Sequence, residues 1–419
     1  MKTRDSREEI GRAIARMRAD GLFEPDDTAL IYYDLDDLRA RVEAVQAAFP
    51  AGTLHAVAMK ANPLFRVLEF LRSLGTGLEV ASLPELMIGL RAGFAPEKVV
   101  FDSPIKTAEE ISVALEKGVR LNADSMGELD RIARLVKDAA PPVGLRVNPQ
   151  LRSGAIAATS VAGQYSKFGV PITEFRDEII ARFLRHAWLR RLHLHVGSQG
   201  CEMSLLVDGI KMIADLAEEI NALVPGKIEE IDIGGGLPVS YYADVRPISI
   251  QEYRAAIDAG VPGLFQKYKV ITEFGRHVNA NAAWAVSRVE YVKQTRDVHT
   301  AMIHLGADMF LRKCYNPMDW HHEIYAFDPN GSPKAGALQT YNVAGPLCFA
   351  GDIIARDIPL PELAEGDLLV IADVGAYTLG MWSRYNSRQI PKVVGARDGA
   401  LGILRPRERI ADLARFWEG

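Results

Sequence analysis

The stretch His-Ala-Val-Ala-Met-Lys-Ala-Asn-Pro at residues 55–63 indicates how the rest of the chain folds. Its apolar run over residues 56–59 has the pattern of a short buried strand, and the Asn-Pro pair that follows is a turn signal. Lys60 therefore stands at the carboxyl end of that strand. In a β/α barrel this end carries the catalytic groups, and a desolvated lysine amine there is a Schiff-base nucleophile. Alternatively, the side chain simply extends into solvent.

Around this stretch the sequence predicts a regular alternation of strands and helices. Strands are expected at about 55–59, 78–82, 98–102, 120–124, 143–148, 191–197, 229–234 and 270–274. A helical pattern follows each of the first seven. Eight strands match a (β/α)8 barrel in number and span, whereas a doubly wound sheet more often has five or six. The strands are rich in Val, Ile and Leu, as parallel strands buried on both faces are.

The pattern changes beyond about residue 290, where short strand-like runs are interrupted by Gly, Pro and Asp. This texture predicts a β domain. A strand over residues 29–33 precedes the barrel, and the simplest arrangement has it joining that sheet. We therefore predict an α/β protein with a barrel over 45–285 and a β-rich domain formed by 1–44 and 286–419. Residues 5–19 predict a solvated helix.

Composition limits the class of protein. The 419 residues are 48% hydrophobic, with 49 basic and 54 acidic side chains and a net charge of −5, which gives no reason to expect nucleic acid or a membrane surface as partner. Cys201, Cys314 and Cys348 are too few and too scattered for a disulfide framework or a zinc site, which fits a reducing cytoplasm. The charged N-terminus and the lack of long apolar runs predict neither secretion nor membrane insertion.

Three successive strand ends carry groups suited to a phosphate and a heteroaromatic ring. His195 and Ser198 end the sixth strand, Gly234–Gly236 the seventh, and Glu273 and Arg276 the eighth. Consecutive glycine amides converge on a phosphate, and a carboxylate keeps a ring nitrogen protonated. Each group also has an ordinary explanation, as a tight turn, a core histidine or a surface ion pair. Their common position on the side of Lys60 favours pyridoxal 5′-phosphate (PLP) as cofactor.

The ordered motifs resemble the fold-type III PLP-dependent decarboxylases, which have an alanine racemase-like fold and include diaminopimelate and ornithine decarboxylases. The resemblance extends over about residues 30–395 and implies a (β/α)8 TIM barrel plus a C-terminal β domain. The matching motifs are Met59-Lys60-Ala61-Asn62, Leu145-Arg146-Val147-Asn148, Ser166-Lys167-Phe168-Gly169, His195-Val196-Gly197-Ser198-Gln199, Gly234-Gly235-Gly236, Glu273-Phe274-Gly275-Arg276, Gly345-Pro346-Leu347-Cys348 and Gly375-Ala376-Tyr377.

The resemblance also implies residue roles. Lys60 would form the Schiff base with the cofactor, His195 would stack on its ring, and Glu273 would pair with its ring nitrogen. Cys348 would donate a proton to Cα after carbon dioxide leaves. The groups around the phosphate would be Ser198, Gly234, Gly235, Gly236, Gly275, Arg276 and Tyr377. Arg276 could instead bind the substrate carboxylate, and Tyr377 is also a candidate for substrate binding. In the family the Cys and Tyr segments reach the partner subunit's cofactor, which implies a homodimer with shared active sites.

One departure from the family concerns the substrate. Diaminopimelate decarboxylases carry Glu and ornithine decarboxylases Asp after the cysteine, to hold the distal amine, whereas this chain has Phe349. An aromatic ring cannot pair an ammonium by charge, and a cation–π contact is weaker and less selective. Arg312, with Tyr315 nearby, approximates the family's motif for the distal end, and Arg384 is a second candidate for a carboxylate. The His321-His322 pair is a poor metal-binding arrangement, and no metal is predicted.

We therefore predict decarboxylation of an amino acid by an enzyme of the diaminopimelate-like branch. Alternatives are a decarboxylase of a larger amino-acid conjugate, or of a D- or basic amino acid, in siderophore or natural-product biosynthesis. A PLP racemase is disfavoured by Cys348 after Gly-Pro and by the 195–199 motif. A non-catalytic PLP-binding homologue is disfavoured because both Lys60 and Cys348 are present.

Overall fold

A computed structural model describes residues 6–136, 141–152, 154–156 and 159–419. The chain divides into two compact units. The barrel unit comprises Arg41–Val239 and Pro247–Val278, and the β unit comprises the residues up to Ala40, Ser240–Arg246 and Asn279–Gly419. The domain boundaries drawn from the sequence stay a prediction, and nothing in the sequence pattern indicates that 240–246 group with the β unit.

The secondary-structure elements are numbered in chain order. The strands are β1 (Ala29–Asp34), β2 (Leu54–Ala58), β3 (Gly77–Val80), β4 (Val99–Asp102), β5 (Arg120–Ala123), β6 (Val143–Asn148), β7 (Val170–Pro171), β8 (Leu189–His193), β9 (Glu230–Asp232), β10 (Lys269–Thr272), β11 (Ala283–Thr295), β12 (Val298–Ile303), β13 (Ile324–Phe327), β14 (Leu338–Ala344), β15 (Ile353–Pro361), β16 (Leu368–Ala372), β17 (Lys392–Arg397) and β18 (Ala400–Arg405). The helices are α1 (Arg7–Ala19), α2 (Leu35–Ala48), α3 (Phe65–Ser73), α4 (Leu83–Arg91), α5 (Ala108–Lys117), α6 (Met126–Leu135), α7 (Ile172–Arg185), α8 (Met203–Leu223), α9 (Ile250–Gly260), α10 (Leu264–Lys267), α11 (Gly275–Asn279), α12 (Leu311–Tyr315) and α13 (Ile410–Glu418).

The barrel unit contains a closed parallel sheet. Its strands follow the order β2, β3, β4, β5, β6, β8, β9, β10 and return to β2, while the short β7 pairs with β6 outside the ring. Every residue of β3, β4 and β6 is buried, which explains why these strands lack an alternating polar pattern. The predicted (β/α)8 barrel is confirmed.

Several βα connections of the barrel end in a helix cap. Ser82, Thr107, Ser125 and Ser249 each accept a hydrogen bond from the backbone amide three residues later, at the starts of α4, α5, α6 and α9. Such a cap satisfies an amide that has no partner within its helix. The caps therefore determine where the helices begin after the carboxyl ends of the strands.

A nine-stranded sheet makes up most of the β unit, in the order β15, β14, β12, β11, β1, β17, β18, with β16 paired to β11 and β13 to β16. The early strand β1 pairs antiparallel with β11 and parallel with β17. The predicted joining of this N-terminal segment to the C-terminal sheet is therefore observed.

Helix α1 differs from the solvated helix that was predicted over residues 5–19. Its side chains Ile10, Ile14 and Met17 are fully buried in a cluster with Phe23 and Trp284 of the β unit. The prediction of a solvated helix is wrong for this face, because three apolar residues spaced along one face suffice to pack a helix despite its many charges. Asp5, the first residue of that predicted helix, lies outside the described residues. Among the helices that the structure describes, none is long and apolar enough to cross a membrane.

Candidate active site

Lys60 lies directly after β2, in a short 3₁₀ turn over Met59–Ala61. Its amine contacts both carboxylate oxygens of Glu79, at 2.6 and 2.5 Å, and its side chain is 42% exposed whereas that of Glu79 is fully buried. Burial raises the pKa of Glu79, and the positive charge of Lys60 opposes that rise. A buried carboxylate at the end of β3 thus orients the lysine amine. No role for Glu79 was predicted from the sequence.

The three glycines after β9 form a turn that has no space for side chains. A Cβ atom on Gly234, Gly235 or Gly236 would lie 2.4–2.5 Å from a backbone carbonyl oxygen of Leu194, Glu273 or Gly197, respectively. Gly234 and Gly236 also have positive φ angles, of 64° and 101°. The turn is therefore packed between the segments that follow β8 and β10, which brings its backbone amides close to the end of the barrel.

His195 is oriented by this glycine turn. Its Nδ1 accepts a hydrogen bond from the amide of Gly235 at 3.1 Å. Burial, together with the charges of Arg146 and Lys60, holds the pKa of His195 well below its ordinary value. The side chain is therefore a neutral, flat ring at neutral pH, which suits it to stacking on an aromatic cofactor.

Glu273 follows β10 and is buried. Burial raises its pKa well above the ordinary value, with Asp232 acting in the same direction. Its Oε1 has no hydrogen-bond partner among the described residues. Because a buried carboxyl oxygen is normally paired, this atom fits the N–H group of a protonated pyridine ring. Gly275 lets this segment pack against β2, since a Cβ there would lie 2.8 Å from the Cβ of Ala58.

Arg276 and Ser198 form a pair suited to an anion. The Nε of the buried Arg276 lies 3.2 Å from Oγ of Ser198, which follows the Gly197 carbonyl that packs on Gly236. A guanidinium, a hydroxyl and glycine amides are the donors that a phosphate needs. The predicted barrel residues therefore lie at the ends of β8, β9, β10 and β2, which are neighbours in the barrel.

A buried charge network next to these residues was missed by the sequence analysis. His193, at the end of β8, has Nε2 at 3.3 Å from Asp102 and Nδ1 at 3.4 Å from Asp232. Arg146 donates to the same Asp102 oxygen at 2.8 Å. The carboxylates raise the pKa of His193 well above its ordinary value against the effect of burial, so the charged histidine compensates the buried negative charge of this group.

The β unit holds all the residues predicted for the substrate except Arg276, which lies in the barrel unit. The Arg312 guanidinium lies 4.5 Å from the ring centre of Tyr377 and 5.0 Å from that of Trp320. Phe349 stacks on Tyr315 with the ring centres 5.0 Å apart and the planes inclined by 16°. Cation–π and stacking contacts of this kind restrict the orientation of both groups.

Cys348 is exposed, and its backbone is held on both sides. Its amide donates to Oδ1 of Asn386 at 2.7 Å, and its carbonyl accepts from the hydroxyl of Tyr385 at 2.9 Å. Arg384, by contrast, donates to Glu408 at 2.6 Å. Because Glu408 neutralises it, Arg384 is the weaker candidate for a substrate carboxylate.

The histidine pair in the β unit makes separate contacts. His321 stacks on Tyr242 with ring centres 4.3 Å apart, and Nδ1 of His322 lies 2.8 Å from the carbonyl oxygen of Ala372. The two rings therefore have different environments, and neither contact is that of a metal ligand.

Comparison with known proteins relates most of the chain to one family. Residues 35–280 match the family described as "Pyridoxal-dependent decarboxylase, pyridoxal binding domain". The chain is similar to a diaminopimelate decarboxylase of Pseudomonas aeruginosa, at 34% identity over 90% of each protein. It is also similar to one of Methanothermobacter thermautotrophicus, at 30% identity over 85% of this chain and 83% of that protein.

Solved structures of diaminopimelate decarboxylases are similar to this chain in fold. The crystal structure of diaminopimelate decarboxylase from Helicobacter pylori complexed with L-lysine has a TM-score of 0.85 and 28% identity, covering 96% of this chain and 99% of that one. The predicted fold type, the PLP cofactor and the class of carboxy-lyase are thereby confirmed. The chain belongs to the family of pyridoxal-dependent decarboxylases.

Proposed function

We propose that this enzyme removes a carboxylate from an amino acid of the diaminopimelate type, with meso-diaminopimelate as the first candidate and lysine as its product. The similar H. pylori and Methanocaldococcus jannaschii diaminopimelate decarboxylases have been solved with L-lysine, which supports this choice. The observation that supports the PLP-dependent chemistry of this proposal is the buried Glu273 oxygen, without a partner in the described part of the chain, at the barrel end that also carries Lys60.

In this proposal the barrel residues hold the cofactor. Lys60 binds it covalently through its amine, and His195 packs on the face of the ring and excludes water there. Glu273 holds the proton at the ring nitrogen. The phosphate is bound by the amides of the glycine turn together with Ser198 and Arg276, and Gly275 permits the close packing of that segment.

The bound cofactor supplies an electron sink for the electron pair released when the carboxylate departs. The chain's own residues control where protons go. Cys348 would donate a proton to Cα after carbon dioxide leaves, and its exposed side chain is consistent with such a role.

We propose that Cys348 and Tyr377 act on the cofactor of the partner subunit, so that the enzyme is a homodimer with shared sites. We also propose a cytoplasmic location, which the three scattered cysteines support.

Arg312 is the candidate for binding the distal end of the substrate. Arg312, whose guanidinium is oriented by Tyr377 and Trp320, would bind a distal carboxylate through two parallel hydrogen bonds. Arg312 is preferred over Arg384 because Glu408 already compensates the charge of Arg384.

A second candidate is a larger amino-acid conjugate, or a D- or basic amino acid, of siderophore or natural-product biosynthesis. The stacked pair of Phe349 and Tyr315 favours it, since Tyr315 is 66% exposed and neither ring offers charge to a distal ammonium. A planar or apolar group would gain more from these rings than an ammonium would.

The experiment that separates the candidates is carbon dioxide release by the PLP-loaded protein. The panel comprises meso-diaminopimelate, both enantiomers of lysine and ornithine, arginine, and amino-acid conjugates with extra carboxylates. Release from meso-diaminopimelate, with a raised KM in Arg312→Leu but not in Arg384→Leu, supports the first candidate. Release from conjugates alone contradicts it and supports the second. Protein loaded in the same way but carrying Lys60→Ala is the inactive control.

A further inference from the structure

His193 is completely buried at the end of β8 and has a carboxylate at each ring nitrogen. Asp102 on β4 lies 3.3 Å from Nε2, and Asp232 on β9 lies 3.4 Å from Nδ1. A neutral imidazole carries a proton on only one nitrogen, so it could donate to only one of these carboxylates. Two carboxylates on opposite sides therefore favour the doubly protonated, positively charged ring.

The buried charges around His193 also favour its positively charged form. The groups that surround His193 are Asp102, Asp232 and Glu273, with Arg146 of β6 donating to Asp102 at 2.8 Å. Without the charge of His193, the positive charges acting on Asp102 and Asp232 would be those of Arg146, Lys106 and Arg191, and among these Arg146 makes the direct contact with Asp102. Uncompensated buried carboxylates are strongly unfavourable, so a charged His193 is the state that the surroundings support.

His193 is also close to the group that would hold the cofactor ring. A ring nitrogen of His193 and one carboxylate oxygen each of Asp232 and Glu273 all lie within 4.8 Å of one another. Asp232 further accepts a hydrogen bond from the amide of Gly234 at 3.0 Å, which connects the pair to the glycine turn. A positive charge at this distance acts directly on the protonation of Glu273.

We propose that His193 is a positioning residue that acts through Glu273: its positive charge stabilises the carboxylate form of Glu273 and so keeps their shared proton on the ring nitrogen of the cofactor. This inference rests on the proposed role of Glu273. One proton lies between the carboxyl oxygen and the ring nitrogen, and a nearby cation disfavours the neutral carboxyl. A unit charge at 4–6 Å moves a pKa by about 1–3 units, which changes the distribution of that proton by about tenfold or more.

The test is a nuclear magnetic resonance measurement on protein loaded with PLP that carries ¹⁵N in its ring. In the wild-type protein we expect the ¹⁵N chemical shift of the PLP ring to be that of a protonated nitrogen. In His193→Gln we expect this shift to move toward the value of an unprotonated nitrogen, for which Glu273→Gln is the reference. We expect kcat to fall about tenfold or more, with a smaller change in KM. His55→Gln is the matched control, because His55 is another barrel histidine, its Nδ1 lies 2.8 Å from Oγ1 of Thr272, and burial lowers its pKa to about 4.

Each outcome has a distinct meaning. A wild-type ring nitrogen without a proton would overturn the proposed role of Glu273, whatever the variant shows. A protonated ring nitrogen in both wild type and His193→Gln would overturn this inference and leave the proposed function intact. If His193→Gln fails to fold, ¹⁵N-histidine spectra of the wild-type protein decide, since one unprotonated nitrogen on His193 at neutral pH contradicts the inference and two protonated nitrogens support it.

Discussion

The proposed role of Lys60 depends on a neighbouring side chain, Glu79. Glu79 holds the lysine amine at the barrel end, and that amine would be released to the cofactor when the covalent bond forms. We expect Lys60→Ala to abolish attachment of labelled PLP after borohydride reduction and denaturation. The exposed Lys167, in another of the family motifs, provides the control variant Lys167→Ala, which should retain the label. Label that persists in Lys60→Ala would show that another lysine anchors the cofactor.

His277 is expected to make the stability of the protein depend on pH. Burial lowers its pKa to about 4, and its two ring nitrogens have no hydrogen-bond partner in the described chain. The unfolded state therefore binds a proton below pH 6.5 that the folded state does not, so stability is lost as the pH falls from 6.5 to about 4.

We expect His277→Phe to remove this loss, which amounts to roughly 3 kcal/mol. The measurement is the free energy of unfolding of both proteins across that pH range, with pH 8 as the reference where His277 is neutral in both states. Parallel pH profiles for wild type and variant would contradict the assignment, because all other titrating groups are common to the two proteins.

The element that most directly determines the proposed phosphate site is the glycine turn between β9 and α9. Gly235 can carry no side chain, since a Cβ there would meet the Glu273 carbonyl oxygen at 2.4 Å. We expect Gly235→Ala to displace the backbone amides and weaken PLP binding by about tenfold or more, in line with the loss of one or two hydrogen bonds to a charged group.

Gly127 provides the control for this element. It lies inside α6, and a Cβ there would meet no atom within 4 Å, so Gly127→Ala should leave PLP binding unchanged and stabilise the helix slightly. Dissociation constants for PLP, measured by absorbance or fluorescence titration, compare the two variants. Equal binding by both would show that the turn does not hold the phosphate.

At the scale of the whole molecule, the proposed shared sites can be tested by complementation. Lys60→Ala and Cys348→Ala each inactivate a site, and in a homodimer with shared sites a mixed dimer would contain one intact site. We expect co-expression of the two variants to restore about a quarter of wild-type activity, since random pairing makes half of the dimers mixed. Each variant expressed alone is the control. No restoration in isolated mixed dimers would show that both residues act within one subunit.

The barrel and much of its proposed site could be predicted from the amino-acid sequence. Apolar periodicity is local, so the eight strands could be located from the pattern, and the ends of parallel strands converge, so Lys60, His195 and Glu273 could be grouped without coordinates. The order of motifs then indicated the family. The class of β domain also followed from composition and turn residues, together with the early strand at 29–33.

The contacts between side chains from distant strands could be found only in the folded structure. Glu79 contacts Lys60, and His193 lies between two carboxylates, although strands far apart in sequence carry these partners. A buried polar residue within an apolar strand has no sequence signal that identifies its partner, because that partner depends on barrel closure. The burial of one face of α1 was decided in the same way, by packing on a sheet that the rest of the chain completes.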